Sequence, residues 1–360
     1  MFHHHAIHAT VRRRLAAAVA IILLAAAGVA PAHGDRHRPA RADSLVTANA
    51  SGWLQTITPS GRIDTDNPFF ASLGSNGRSC NSCHRQAEGW TISAAEVRER
   101  FQQSNGTDPI FAPVDGAVSP LADVSSTYAR RIAYAMLLNR GVLRVGLPMP
   151  AHAEFRLTAV DDPYGYASAR ELSLFRRPLP ATNLIWVTAV MWDGRETYAP
   201  FKPPMDAGID IADVNASLAS QARDAIMGHE QAASAPDQSV IDRIVEFESH
   251  LFTAQLDDQQ AGSLNDDGAM GGANILAQQR FWVGINDTLG NDPTGEPFDS
   301  RAMRLFDSWN DPGAELSLDS HDHARAAIAR GEQLFNSMPI DISGVAGLND
   351  VTGQPVIHGS

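Results

Sequence analysis

A mostly α-helical fold with one short irregular or β insertion is what this 360-residue sequence predicts. Three observations carry the prediction. Apolar residues recur at helical spacing in several stretches, those stretches open at Ser or Asp caps, and they stop at glycine or at runs of Gly, Asn and Asp. The length alone is a prior for about two domains. A chain that is 44% hydrophobic and has only two cysteines belongs to neither the disordered, the collagen-like nor the disulfide-stapled class.

The first forty residues read as a targeting segment. Arg12, Arg13 and Arg14 precede an apolar run from Leu15 to Ala30, and Ala30-Pro31-Ala32 supplies the small residues of a cleavage site. The run of about sixteen residues is short for a bilayer core. Residues 1–32 are therefore expected to be a secretory signal peptide whose removal leaves a soluble periplasmic chain, with an uncleaved anchor as the alternative. Loss of three arginines and no acid takes the formal net charge from −13 to −16. Phosphate contact needs a basic surface, so general nucleic-acid binding is excluded. An acidic surface suits a basic partner protein, or serves solubility alone. Lys202 is the single lysine.

Along the mature chain, Ser93-Ala-Ala-Glu96 is a capping box ahead of Val97 and Phe101. Residues 126–139 read as one helix stopped by Gly141. Residues 142–177 alternate weakly around Phe155, Leu157 and Val160 among several prolines, which makes them the hairpin or irregular insertion. Helical spacing returns at 215–230 and at 237–254, the latter with Ile241, Ile244, Val245 and Leu251. Residues 262–272 and 287–296 read as loops. A last helix over 323–335 carries Ala327, Ile328, Gly331, Leu334 and Phe335 along its packing stripe.

The two cysteines are Cys80 and Cys83, followed at once by His84. A disulfide across two intervening residues closes a small loop and stabilises weakly. A thioredoxin-like dithiol needs a helix start in a βαβ setting, whereas the Gly/Ser-rich approach over 70–80 shows no strand. Zinc would need a second Cys/His pair at ligand spacing. The string Cys80-Asn81-Ser82-Cys83-His84 matches c-type haem attachment. Two thiols three positions apart reach the two vinyl groups on one porphyrin edge, and the adjacent imidazole turns in to ligate iron. Haem c on Cys80 and Cys83, with His84 as the metal ligand, is the expected cofactor. Met136, Met149, His152, Met205 and His229 are candidates for the sixth ligand, Met149 being bracketed by Pro148 and Pro150; as lone residues they otherwise belong to core or surface.

Four strings occur in a telling order: Gly77-Arg78-Ser79-Cys80 through His84, Met191-Trp192-Asp193-Gly194-Arg195, Ser217-Leu218-Ala219-Ser220-Gln221-Ala222, and Arg330-Gly331-Glu332-Gln333-Leu334-Phe335. In them the chain resembles the bacterial di-haem cytochrome c peroxidases and the related maturation enzyme that oxidises the methylamine dehydrogenase precursor. The resemblance spans most of the chain from Asn67 onward. It implies class I cytochrome c-type domains: a first haem domain over 33–315, and over 316–360 the start of a second that ends before its own Cys-x-x-Cys-His and haem. It implies that Trp192 relays electrons or holes between the haems, and that Gln221 lies in the distal pocket of the first. A carboxylate ten positions after that glutamine moves protons between peroxide oxygens in the family. This sequence has Gln231 there, so the neighbouring Glu230 is the candidate. The other reading of Trp192 is a packed residue pinned by an Asp193–Arg195 turn, and that of Gln231, Glu230 and the preceding His229 is an ordinary solvated helix end. Trp53, Trp90, Trp186, Trp282 and Trp309 lack the motif and are expected to be structural.

The implied activity is reduction of peroxide, or oxidation of a protein or organic substrate, with electrons from a small cytochrome c or cupredoxin. Calcium between domains is a further implied ligand, for which Asn183 is a misaligned candidate. Family members also carry a histidine soon after the first motif, and none occurs between Arg85 and Leu147. A non-catalytic electron-transfer cytochrome and a haem-free Cys-x-x-Cys redox protein are the competing classes.

Overall fold

The helical reading leaves out an antiparallel sheet that opens the described chain. In a computed structural model that describes residues 45–168, 171–187, 189–197, 211–278, 303–314, 317–346, 349–353 and 355–359, β1 (Val46–Asn49) and β2 (Gly52–Ile57) form a hairpin. The leader, Lys202, Met205, Trp282 and the 287–296 stretch lie outside the described residues. Gly52 sits at φ +145°, and a Cβ there would fall 2.1 Å from the Asp257 carbonyl oxygen, so only glycine admits this close backbone approach.

Serine caps start the next helices. Ser93 Oγ accepts from Glu96 N at 3.1 Å to open α1 (Ala94–Ser104), which buries Val97 and Phe101. The Glu96 carboxylate reaches Arg100 and Arg85 instead of closing the capping box. Ser126 caps α2 (Thr127–Ala133), and α3 (Ala135–Arg140) stops at Gly141 in the left-handed region, φ +64°. The expected single helix breaks at Tyr134, whose buried hydroxyl donates to the Phe111 carbonyl. The insertion contains a true hairpin, β3 (Leu143–Leu147) against β4 (Leu172–Arg176), with Leu143 opposite Arg176. Phe155, Leu157 and Val160, expected within it, are exposed in the connection.

α4 (Ile211–Gly228) packs on α5 (Gln238–Ser249). The chain then turns at His250 into β5 (Phe252–Asp258), which pairs antiparallel with β2 and with β6 (Gly262–Ser263), completing a four-stranded sheet in the order β1-β2-β5-β6. Farther on come a short α6 (Ala273–Leu276), α7 (Ser320–Ser337) and a small hairpin of β7 (Ile340–Ser343) and β8 (Val356–Gly359). Among the described residues no helix is long and apolar enough to cross a membrane.

The fold is therefore mixed helix and antiparallel sheet, and the mostly α, class I cytochrome c-type expectation is corrected. The physical reason lies in β5. Its apolar residues continue the helical spacing of 237–251, while its partner on β2 lies 197 residues away at the Thr56–Thr253 pair, beyond any local window.

Two apolar clusters flank the middle of the chain. One holds Phe69, Trp90, Leu218, Ala222, Ile226, Ile241, Ile244 and Leu251; the other holds Ile92, Val97, Phe101, Ile110, Phe111, Tyr134 and Leu137. A third gathers Ala261, Leu264, Trp309 and Ala329 beneath α7, joining residues on either side of position 315. On α7 the expected stripe is corrected in part: Ile328 packs against this third cluster, while Ala327 is exposed. Ala326, Ala329 and Glu332 are buried, Leu334 and Phe335 are exposed, and a Cβ on Gly331 would meet nothing. The packing face was chosen by polar demand, because Glu332 accepts the Leu305 and Phe306 N–H groups, the latter at 2.8 Å. A carboxylate in the middle of a buried face makes that face read as polar.

Candidate functional site

Residues 73–79 approach the Cys-x-x-Cys-His string along the end of α4. Leu73 N donates to Glu230 Oε2 at 2.8 Å, Ser75 N to the Glu230 carbonyl at 3.0 Å, and Asn76 Nδ2 to the His229 carbonyl at 2.8 Å. A Cβ on Gly74 would lie 1.8 Å from the Glu230 carbonyl oxygen, which fixes glycine at this position. Arg78 is 1% exposed; Nε donates to the Pro109 carbonyl at 2.9 Å and Nη1 pairs with Asp115 Oδ1 at 2.5 Å. This buried clamp anchors the loop two residues before Cys80.

A 3-10 turn over Cys80–Ser82 follows, in which Cys83 N and His84 N both donate to the Cys80 carbonyl, at 3.1 and 3.0 Å. The thiols are half-buried and unlinked. Cys80 packs against the first cluster and Cys83 against the second, so the string straddles the two cores.

His84 Nδ1 is 3.0 Å from the Trp90 carbonyl oxygen, which makes Nδ1 a protonated nitrogen, and the Leu179 backbone is a second partner of the ring. Trp90 is fully buried and sits at φ +62°, directly after Gly89 at φ +69°. A bulky residue in that region is strained and persists only when its surroundings over-determine it. They do so here: Trp90 N donates to the Arg85 carbonyl at 2.8 Å, Nε1 donates to Thr56 Oγ1 at 3.0 Å, and the Phe69 and Phe247 rings stand edge-on at 5.9 and 5.7 Å. Thr56 is in turn bonded to Thr253 Oγ1 across β2 and β5 at 2.9 Å. The sheet thus holds Trp90, and Trp90 holds His84.

Burial, aided by the Glu248 and Glu230 carboxylates, pushes the Cys80 thiol well up; its Sγ is 3.7 Å from Glu230 Oε1. Burial raises Cys83 to about 11 against the pull of Arg78 and Arg100. Burial lowers His84, opposed by the Trp90 and Leu179 backbone. Glu230 is raised by burial despite the Leu73 N–H. Burial alone raises Glu248 to about 8, and its Oε2 has no partner among the described residues. Asp115 stays below its usual range because the His229 hydrogen bond and the Arg78 charge outweigh its burial.

The structure thus brings Cys80, Cys83, His84 and Glu230 together. Gln221 is half-buried on α4, about two and a half turns before Glu230, and forms no hydrogen bond among the described residues. Trp192 is 60% exposed, with Nε1 donating to the Arg177 carbonyl at 3.0 Å and the Asp193–Arg195 pair closing the turn after it. Of the candidate sixth ligands, His229 bonds Asp115 through Nδ1; Met136 lies on α3, and Met149 and His152 lie in the β3–β4 connection. Asn183, the calcium candidate, gives both ends of its amide to the Thr253 backbone at 2.9 Å.

Sequence reasoning placed Trp90 among the structural tryptophans and did not single out Thr56, Asp115 or Glu248. Gly89 ahead of a tryptophan was the local signal available for Trp90; the other three are recruited from far along the chain. Among the described residues no three His, Cys, Asp or Glu side chains are placed to hold a metal ion directly. Two unlinked thiols one turn apart, beside an imidazole with Nδ1 already engaged, are the donor set that covalent haem takes, and the residues fit that group. Comparison of the chain with family models, with curated proteins and with solved structures finds no match.

Proposed function

We propose that this chain is an exported, periplasmic c-type haem oxidoreductase of the di-haem peroxidase type, reducing peroxide with electrons from a small cytochrome c or cupredoxin. The observation that carries the reading is the engaged Nδ1 of His84 beside two half-buried, unlinked thiols. Cys80 and Cys83 hold the porphyrin edge and His84 supplies the imidazole. When bound, haem supplies an iron that exchanges single electrons and binds peroxide.

The thiols' surroundings favour this over dithiol redox chemistry. Exchange and zinc binding both need thiolate, which low-pKa sites obtain from cations or a helix N-terminus. Here burial keeps both thiols protonated, and Cys80 faces the Glu230 carboxylate. Trp90 fixes the imidazole's orientation, while the Arg78–Asp115 pair fixes the loop that delivers Cys80.

The test is mass spectrometry of the peptide spanning Cys80–Cys83 from exported protein, followed by the ferric absorption spectrum. A mass increase equal to haem, lost in Cys80→Ser and Cys83→Ser together, is expected; its absence overturns the reading. A high-spin band that shifts with peroxide is expected next. A low-spin spectrum unaltered by peroxide or cyanide, in resting and half-reduced protein, would leave an electron-transfer cytochrome in place of an enzyme.

A further inference from the structure

Helix α1 opens on a capping box that Glu96 does not close, and the carboxylate withheld from it goes to the Cys-x-x-Cys-His turn. Oε1 of Glu96 lies 3.4 Å from Arg100 Nη1, one turn on, and 3.6 Å from Arg85 Nε, while Oε2 is buried with no partner among the described residues. A buried carboxylate oxygen left unpaired is destabilising, so the helix's own stability does not explain this arrangement. Arg100 is the stronger tie. Its Nε and Nη2 grip the two oxygens of Asp108 at 3.1 and 2.5 Å, and Asp108 Oδ1 also accepts the Ile110 N–H at 2.9 Å. Nη1 of the same guanidinium donates to the Ser82 carbonyl at 2.7 Å. Ser82 is otherwise engaged within its own turn, N–H to the Ser79 carbonyl at 2.9 Å and Oγ from Ser79 N at 3.0 Å. Ser82 and Arg85 flank Cys83 and His84, so one helix face holds the chain on both sides of that pair.

We infer that Arg100, oriented by Asp108 and backed by Glu96, is a positioning residue that holds the Cys83–His84 half of the turn and so sets the orientation of the iron-ligating imidazole; the inference rests on the haem reading proposed above. The argument is one of fixed points. The Trp90 carbonyl holds the His84 ring, and the Arg78–Asp115 clamp holds the chain two residues before Cys80. Neither reaches the peptide between the two cysteines, and Arg100 does. A guanidinium gripped on two nitrogens by one carboxylate is planar and directional, so Nη1 is aimed in a way that a swivelling ammonium is not. The Arg100 side chain is 16% exposed, which shields its bonds from water, whereas Arg85, at 45%, adds little through Glu96. α1 is itself anchored, because Val97 and Phe101 lie in the second apolar cluster, on which Cys83 also packs. Helix and thiol thus share one anchorage, and the imidazole that follows the thiol inherits it.

The experiment compares full-length exported wild type with Arg100→Met, Arg100→Lys and Asp108→Asn, reading covalent haem mass, hydrogen exchange of the Cys80–Arg85 amides, and the ferric electron paramagnetic resonance spectrum. That spectrum reports the imidazole plane against the porphyrin, so a role confined to general folding leaves it unmoved in protein that keeps its haem. With haem mass unchanged, Arg100→Met is expected to exchange the Cys83 and His84 N–H groups at least about tenfold faster, with core amides such as Leu137 unchanged, and to spread the iron signal over more than one orientation. A folded Arg100→Met that loses covalent haem supports the role as well, since its donors are then misplaced. Arg100→Lys keeps the charge without the fork and is expected to follow Arg100→Met. Asp108→Asn keeps the guanidinium but loosens its aim, and is expected to show the same signature in weaker form. An unmoved iron signal with exchange within about threefold of wild type in Arg100→Met, or in Asp108→Asn where Arg100→Met does not fold, overturns the positioning role alone. Full wild-type behaviour of Arg100→Lys overturns it too. Wild type without covalent haem overturns the function proposed above and this inference with it.

Discussion

Glu248→Gln isolates one buried carboxyl group, and its effect on stability is set by linkage. In the unfolded chain this carboxyl ionises near 4.5, whereas burial holds it protonated to about 8 in the folded protein. Between those values the folded state binds one more proton than the unfolded state, so stability falls as pH rises. Each pH unit in that window removes about 1.4 kcal/mol. Glutamine fills the same space, 6% exposed, without titrating. Between pH 5 and pH 7 the wild type should therefore lose about 2–3 kcal/mol relative to Glu248→Gln. Urea denaturation of both proteins at both pH values measures this: with a slope of about 3 kcal/mol per molar, the midpoint gap should move by about 1 M in the variant's favour as pH rises. A gap constant to within about 0.5 kcal/mol between pH 5 and 7 would refute the burial argument.

Thr56→Val removes the hydroxyl that accepts from Trp90 Nε1 and contacts Thr253, stranding a buried N–H; a loss of about 1–3 kcal/mol in thermal or urea unfolding is expected, and no loss would break the proposed link from sheet to Trp90 to His84. Gly74→Ala must displace either the approach loop or the Glu230 carbonyl, so a destabilisation of about 1–3 kcal/mol and a lower haem-to-protein ratio are expected; full haem loading at unchanged stability contradicts the tight approach. Trp192→Phe alters an exposed ring and should shift stability by no more than about 0.5 kcal/mol in urea unfolding, so a loss of peroxide turnover in that variant reads electron relay rather than folding.

Local chemistry was the legible part of this molecule. Ser93 and Ser126 cap helices where their spacing to the following apolar residues says they should, and Gly141 stops one, because capping involves atoms within about four residues of each other. Cys80, Cys83 and His84 share one turn for the same reason. The clamp and the sheet were not legible. Asp115 meets Arg78 across 37 residues and His229 across 114, so no window of sequence pairs them. The helix over 323–335 was legible as a helix but not in its buried face, since Glu332 joins that face to satisfy backbone N–H groups of a distant segment.

Trp192 and Trp90 show how the division falls. A motif singled out Trp192, which the fold leaves 60% exposed, while Trp90 carried no motif and became the residue that orients His84. The sequence by itself determined the donor set, two thiols and an imidazole at fixed spacing, because that spacing is covalent. Only the tertiary structure decided the environment of those donors: apolar packing that keeps the thiols protonated, a strand pair that holds Trp90, and a helix end that spends Glu230 on the backbone and the His229 ring on Asp115. Burial and hydrogen-bond partnership are properties of what surrounds a residue, and here the surroundings come from segments up to about two hundred residues away.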